Sequence, residues 1–242
     1  MHVRVDLLPT PPYDDVVVLI DVLRSSTVAP LLFENGLDEL HVSTKLKLAR
    51  EYARETGATL LGERGGLPPE GFNYGNSPAE LANVHFSGHA VLVSENAPKM
   101  LPQLETARHL LLGSLYNAGA VVNRALELAD KHIYLVACGL WGQEDLDDTL
   151  AAGYLASCLK QKKPDIKLGG AARLGMSLGR AFADPLEALW YSSAGYFLRK
   201  LGAHDDLALA SLVSQTEHVP ELNSKVIDEH GTLYTFRSSL NQ

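Results

Sequence analysis

Five short apolar runs in this chain each end on a group of ionisable or hydrogen-bonding side chains. "VVVLI" (16–20) leads into Asp21, Arg24, Ser25, Ser26 and Thr27, and "ATLLG" (58–62) into Glu63, Arg64 and a glycine-rich loop. "AVLVS" (90–94) ends on Ser94, followed by Glu95 and Asn96. "LLLGS" (110–114) ends on Ser114, followed by Asn117, and "IYLVACG" (133–139) leads through Gly142 to Asp145, Asp147 and Asp148. Randomly scattered surface charge would not select the ends of apolar runs. Carboxylates beside arginines, amides and hydroxyls suit work on a small charged molecule, because carboxylates hold a cation while arginines and N–H donors hold an anion.

Asp21 directly ends a fully apolar run, where a carboxylate is costly unless it is paired or bound to a metal. A structural pairing with Arg24 is the plain alternative to a functional role. "RSST" (24–27) reads as a helix N-terminus whose hydroxyls and N–H groups suit an anion, and simple N-capping accounts for the same residues. The loop "GERGGLPPEGFNYGNSP" (62–78) closes on "NSPAE", a capping box with Ser77 as N-cap, Pro78 at the first helical position and Glu80 at the third. It therefore runs from a strand end to a helix start, with glycines that let backbone approach a ligand closely. Asn76 and the amides after Ser77 suit an anion and Glu63 suits a cation, so the loop reads as a ligand cradle.

Other polar groups carry less. His85 and His89 have helical i, i+4 spacing, but Gly88 and the strand pattern that follows argue for surface histidines rather than a metal pair. "HDD" (204–206) reads as a helix start. Nucleotide-binding GxGxxG and Walker A patterns and the GxSxG of serine hydrolases are absent.

The apolar runs read as buried strands, and helical patterns alternate with them at 44–56, closed by Gly57, at 117–129 and at 148–159. Such alternation predicts βαβ units, and hence an α/β fold of three layers, α/β/α, around a mostly parallel sheet. In an open sheet of this kind the ligand crevice lies beyond the carboxyl ends of the strands, where the polar groups fall. Residues 169–214 read as a helical stretch rich in Ala, Gly and Leu, and "SKVIDEHGTLYTFR" (224–237) as a terminal hairpin turning near His230-Gly231. Similar layouts around Asp21 and around Asp147-Asp148 hint at a duplicated half, within one compact unit spanning 1–242.

The chain has 242 residues, 46% of them hydrophobic and 21% charged, which is ordinary for a globular protein large enough to bury a substantial core. A formal charge of −8 argues against nucleic acid as a partner. The segment "MHVRVDLLP" lacks the pattern of a signal peptide, and its nearest aliphatic run is too short to cross a membrane. Cys138 and Cys158 read as free thiols in a reducing compartment. The expected location is cytoplasmic.

"VVVLIDVLRSST", "GERGGLPPEGFNYGNSPAEL", "LLLGSLYNAGAV" and "DDTLAAG" resemble, in order and spacing, the 2-phosphosulfolactate phosphatase family, and the likeness covers most of the chain. The resemblance implies an α/β fold of two similar intertwined halves and a Mg²⁺-dependent phosphomonoester hydrolase. Its reaction would release phosphate from 2-phospho-3-sulfolactate to give 3-sulfolactate, a step toward coenzyme M. Residue by residue it points to Asp21, Arg24, Glu63, Arg64, Asn76, Ser77, Ser114, Asn117 and Asp148. In the chemistry so implied, Asp21, Glu63 and Asp148 are the Mg²⁺ ligands and Arg24 and Arg64 clamp the anion. Ser26, Thr27, Asn76 and Ser77 add donors, and Asp21 as a covalent nucleophile is the mechanistic alternative. The chain departs from the family pattern at "SENAPK" (94–99), which keeps Asn96 from a Thr-Thr-Asn-Gly-Thr-like turn. It departs again at Asp147, in place of a glutamate, and at Asn73, in place of an aspartate. The expected partner is a small anionic phosphorylated substrate, with no membrane and with homo-oligomerisation open. A non-catalytic anion-binding protein and a Mg²⁺ phosphatase of a related phosphorylated hydroxy acid are the competing readings.

Overall fold

The computed structural model describes residues 1–182 and 184–241. Its strands are β1 (His2–Asp6), β2 (Val16–Ile20), β3 (Glu39–Ser43), β4 (Thr59–Gly62), β5 (His89–Val93), β6 (His109–Gly113), β7 (His132–Ala137), β8 (Lys167–Leu168), β9 (Pro220–Asp228) and β10 (Gly231–Ser238). Between them lie helices α1 (Ser25–Glu34), α2 (Leu46–Thr56), α3 (Pro78–Leu81), α4 (Ala97–Met100), α5 (Ala118–Leu128) and α6 (Leu146–Lys162). α7 (Gly170–Ala181), α8 (Pro185–Tyr191), α9 (Ser193–Lys200) and α10 (His204–Ala210) make up the helical stretch read from the sequence.

The strands form one sheet in the order β4-β5-β3-β10-β9-β6-β2-β7-β1-β8. β2, buried at all five positions, pairs in parallel with β6 and β7, which is why its sequence is a continuous apolar run rather than an alternating one. Its residues still divide between two faces. Val16, Val18 and Ile20 pack with Val121 of α5 and Leu150 and Leu155 of α6. Val17 and Leu19 pack with Val28 and Leu32 of α1. Helices thus cover both faces, and the α/β expectation holds.

The terminal hairpin read from the sequence is β9–β10, and its place in the sheet was not foreseen. It is inserted mid-sheet, with β10 antiparallel to β3 and β9 joined antiparallel to β6 through Leu111 and Glu221. Three antiparallel joins in succession reverse the strand direction, so the parallel block β4-β5-β3 runs opposite to the parallel block from β6 to β8. In a flat sheet the carboxyl ends of the two blocks would lie on opposite edges. The N-terminus of α1 bridges the two blocks all the same, since Ser25 Oγ, after β2, lies 3.1 Å from Ser94 Oγ, after β5. Leu40, Val42 and Leu92 from one block and Leu19, Leu112 and Val136 from the other accordingly share a single cluster around α1. This explains why α1 is buried from Ser25 to Phe33, with no polar face.

Candidate active site

The carboxyl ends of β2, β4 and β5 meet beside the N-terminus of α1. Ser25 Oγ lies 3.1 Å from Ser94 Oγ, which follows β5, and accepts from Asn76 Nδ2 at 3.4 Å. The Ala97 N–H, at the start of α4, donates to Asp21 Oδ2 at 3.3 Å. A cleft of about 410 Å³ opens above this junction, with Arg24, Glu63, Asn76, Ser94 and Asn96 among its lining and Trp141 and Phe197 at its rim.

The glycine-rich loop is folded around Glu63. One carboxylate oxygen accepts from the Glu95 N–H at 2.7 Å and the other from the Gly66 N–H at 3.0 Å. Gly66 takes φ +79°, and its carbonyl in turn accepts from Arg24 Nη2 at 3.0 Å. A single residue, Gly66, therefore ties the expected cation-binding residue to the expected anion-binding one. Arg24 Nη1 donates to Asp206 Oδ2 at 2.8 Å. Asp206 also accepts from Ser77 Oγ and from the Ala79 N–H. Asp206 opens α10 within "HDD"; its helix position was legible in the sequence, and its burial against Arg24 was not. Arg24 is thus paired with Asp206 and not with Asp21.

Behind the cleft lies a group of buried acids. Burial pushes the Asp21 carboxyl up to about 6. The Ser25 hydroxyl and Ala97 N–H oppose the rise, the charge of Glu63 adds to it and Arg24 offsets it. Asp148 accepts from the Val22 N–H at 2.8 Å and the Gly139 N–H at 2.9 Å, clamping together the loops after β2 and β7. Burial first, then Asp147 and Asp21, still hold its carboxyl well above the usual range. Asp147 is raised by burial and by the charges of Asp145 and Asp21, and its Oδ1 has no hydrogen-bond partner. Asn76 Oδ1 is likewise buried and unpartnered. Two buried acceptor oxygens, of Asn76 and Asp147, are thus left open among crowded carboxyls.

Not every expected residue reaches the cleft. Arg64 turns away, donating to the carbonyls of Glu63 and Thr44. Ser26 Oγ accepts from the Asp21 N–H and Thr27 Oγ1 donates to the Val22 carbonyl, so both brace the turn beneath Asp21. Ser77 caps α3, accepting from the Glu80 N–H as the capping box requires. Asn117 accepts from the Ser114 N–H and donates to the carbonyls of Leu112 and His218, while Ser114 Oγ accepts from the Tyr116 N–H. These two residues shape the turn after β6 and do not line the cleft. Nor do Asp21, Glu63 and Asp148 form a preassembled trio. Among the described residues the one such acid or histidine group with ligand atoms mutually within 4.8 Å is Glu39, His41 and His89. The surface reading of His89 holds for its exposure, but not for its isolation. Trp141 had no signal in the sequence; it sits exposed at φ +52° and meets Phe197 edge-on at 5.3 Å.

An α/β scaffold that converges strand-end carboxylates, one fixed guanidinium and a buried amide on a small cleft belongs to the proteins that handle small charged molecules. The family model for 2-phosphosulpholactate phosphatase matches residues 2–225, and the chain belongs to that family of phosphatases. Relatives named "Probable 2-phosphosulfolactate phosphatase" occur in Thermus thermophilus, 36% identical over 93% of this chain and 96% of the relative, and in Deinococcus radiodurans, 38% identical over 92% and 93%. A third, from Carboxydothermus hydrogenoformans, is 33% identical over 86% of each chain. Among the described residues no helix is long and apolar enough to cross a membrane.

Proposed function

We propose that this protein hydrolyses 2-phospho-3-sulfolactate to 3-sulfolactate and inorganic phosphate in a Mg²⁺-dependent reaction, serving a route toward coenzyme M in the cytoplasm. The family and its relatives support the substrate, and two free cysteines, Cys138 buried among them, suit a reducing compartment. The observation that carries the reading is the unbalanced group of buried carboxylates beside a guanidinium fixed at the cleft wall.

The residues fit Mg²⁺, which binds through one or two carboxylates together with substrate phosphate oxygens and so needs no three-carboxylate cage. Asp21 and Glu63 would hold it, with the unpartnered oxygens of Asn76 and Asp147 nearby to accept from its bound waters. When bound, Mg²⁺ supplies charge neutralisation at the phosphoryl oxygens and acidifies a water. Arg24 keeps three of its five N–H groups for the anion, since one goes to Asp206 and one to Gly66. Its orientation is set before substrate arrives, which lowers the entropic cost of binding. Water attacks phosphorus, the ester C–O–P bridge breaks at the P–O bond, and the departing alkoxide takes a proton as 3-sulfolactate. Trp141 and Phe197 at the rim exclude bulk solvent from the site.

Phosphate release from 2-phospho-3-sulfolactate and from 2-phospholactate, each with Mg²⁺ and with EDTA, tests the assignment. The reading expects metal-dependent turnover that favours the sulfonate. Equal turnover of both esters would move the assignment to phosphorylated hydroxy acids in general, and no turnover by folded protein would remove it.

A further inference from the structure

Glu39 and His41 alternate along β3, so their side chains rise from one face of the sheet. His89 is the register partner of Glu39 across the parallel β3–β5 ladder. α2 packs over this face and brings Tyr52 against it, with Oη 2.7 Å from His41 Nε2 and 3.4 Å from His89 Nδ1. Glu39 Oε2 stands 3.6 Å from His41 Nε2 and 3.8 Å from His89 Nδ1.

The donor atoms are held from behind. The other oxygen of Glu39, Oε1, accepts from Arg237 Nε of β10 at 2.6 Å, which leaves Oε2 to the histidines. His41 Nδ1 lies 3.0 Å from Thr235 Oγ1, also on β10. With Nδ1–H donating there, Nε2 presents its lone pair to the group, the arrangement that metal-binding histidines commonly have. A tetrahedral Zn²⁺ with bonds of about 2.0–2.1 Å sets its donors about 3.3–3.4 Å apart. The two spacings from Glu39 need to close by only a few tenths of an ångström, and the ligand atoms of all three residues already lie within 4.8 Å of one another.

We propose that Glu39, His41 and His89 form a binding site for a divalent first-row transition metal of the Zn²⁺ class, separate from the phosphatase cleft. Two imidazoles and one carboxylate select such ions over Mg²⁺, which takes oxygen ligands. The cleft lies past the carboxyl end of β5, whereas His89 opens that strand, about 13 Å away at the usual rise per residue. His89 is 44% exposed and gives the ion a way in. The Tyr52 hydroxyl turns aside with its proton, and water completes the shell. The bound ion ties β3 to β5 and, through Arg237 and Thr235, to the hairpin that joins the two blocks. Its role is to brace the sheet, not to take part in hydrolysis.

The test uses the full chain, stripped with EDTA, desalted and titrated with Zn²⁺ by calorimetry in excess Mg²⁺. Wild type is compared with His89→Ala, whose side chain is the most exposed of the three, and with Glu39→Gln. The expected result is a micromolar or tighter site in wild type, weakened by about tenfold or more in each variant. Co²⁺ should give a visible d–d absorption in wild type that the variants lose, and His89→Ala should release phosphate at the wild-type rate. Zn²⁺ affinity and Co²⁺ absorption unchanged by both substitutions, or no Zn²⁺ uptake by wild type, would overturn the site.

Discussion

Breaking the ion pair that fixes Arg24 probes the site and the fold together. Arg24 Nη1 and Asp206 Oδ2 are 2.8 Å apart, with the two side chains only 5% and 1% exposed. At an effective dielectric of about 20, unit charges so placed attract by roughly 6 kcal/mol, and desolvation offsets much of that. Removing one partner is a different matter, because the other charge stays buried and unpaired, at a cost of about 3–5 kcal/mol. Asp206→Leu also strips an acceptor from Ser77 and Ala79, which places it at the upper end of that range. Arg24→Met should cost a similar amount. The double variant leaves no orphaned charge and should lose about as much as either single variant, so the coupling equals about one single loss, ~3–5 kcal/mol. Urea unfolding of the four proteins, followed by circular dichroism with midpoint and slope recorded for each, measures the cycle. Single losses below about 1 kcal/mol, or losses that simply add, would refute the claim that this pair is buried and coupled.

The raised Asp21 carboxyl has a consequence for stability. Its folded pKa of about 6 lies above the ordinary 3.8, so the folded chain keeps a proton that the unfolded chain gives up. In metal-free protein this contribution is present below about pH 4 and is lost as pH rises through about 6, amounting to about 3 kcal/mol. In EDTA, Asp21→Asn should therefore be more stable than wild type at pH 7.5 and nearly matched to it at pH 4, as read from urea midpoints at the two pH values. Gly66→Ala should lose about 1–3 kcal/mol, together with most phosphate release. Its new Cβ would lie 2.4 Å from Leu201 Cδ1 at a φ of +79°, and the displaced peptide holds both Glu63 and Arg24. Asn117→Ala removes three hydrogen bonds around the turn after β6, two of them buried, and should cost about 2–3 kcal/mol in chemical denaturation. The kcat/KM of the folded variant should stay within about twofold of wild type, since the side chain lies off the cleft.

The α/β layering was legible because the central strands are buried on both faces and read as unbroken apolar runs, as β2 and β6 do. β1 and β3 were missed for the opposite reason. "HVRVD" and "ELHVS" mix charged residues and histidine with only two apolar ones each, which short windows do not separate from loop. The place of the hairpin was hidden because pattern reports a strand's faces and not its neighbours. Around the site, Asp21, Glu63, Arg24 and Asn76 were readable from their position at strand ends and in the glycine-rich loop. Asp206 and Trp141 were not, because long-range burial and a backbone held at positive φ leave no trace in local spacing. Ser114, Asn117 and Arg64 show the converse. Their residue types suit ligand binding, yet their hydrogen bonds are spent on backbone groups of the scaffold.

The most direct test of the central claim is phosphate release from 2-phospho-3-sulfolactate at saturating Mg²⁺ by wild type and by Asp21→Asn, both shown to be folded by circular dichroism. If the strand-end cleft is the phosphatase site, wild type turns over, EDTA abolishes the activity, and Asp21→Asn loses about 10²-fold or more while being the more stable protein in EDTA at pH 7.5. An Asp21→Asn variant that hydrolyses the ester at the wild-type rate would contradict the account, because the buried carboxylate at the end of β2 would then have no part in the chemistry.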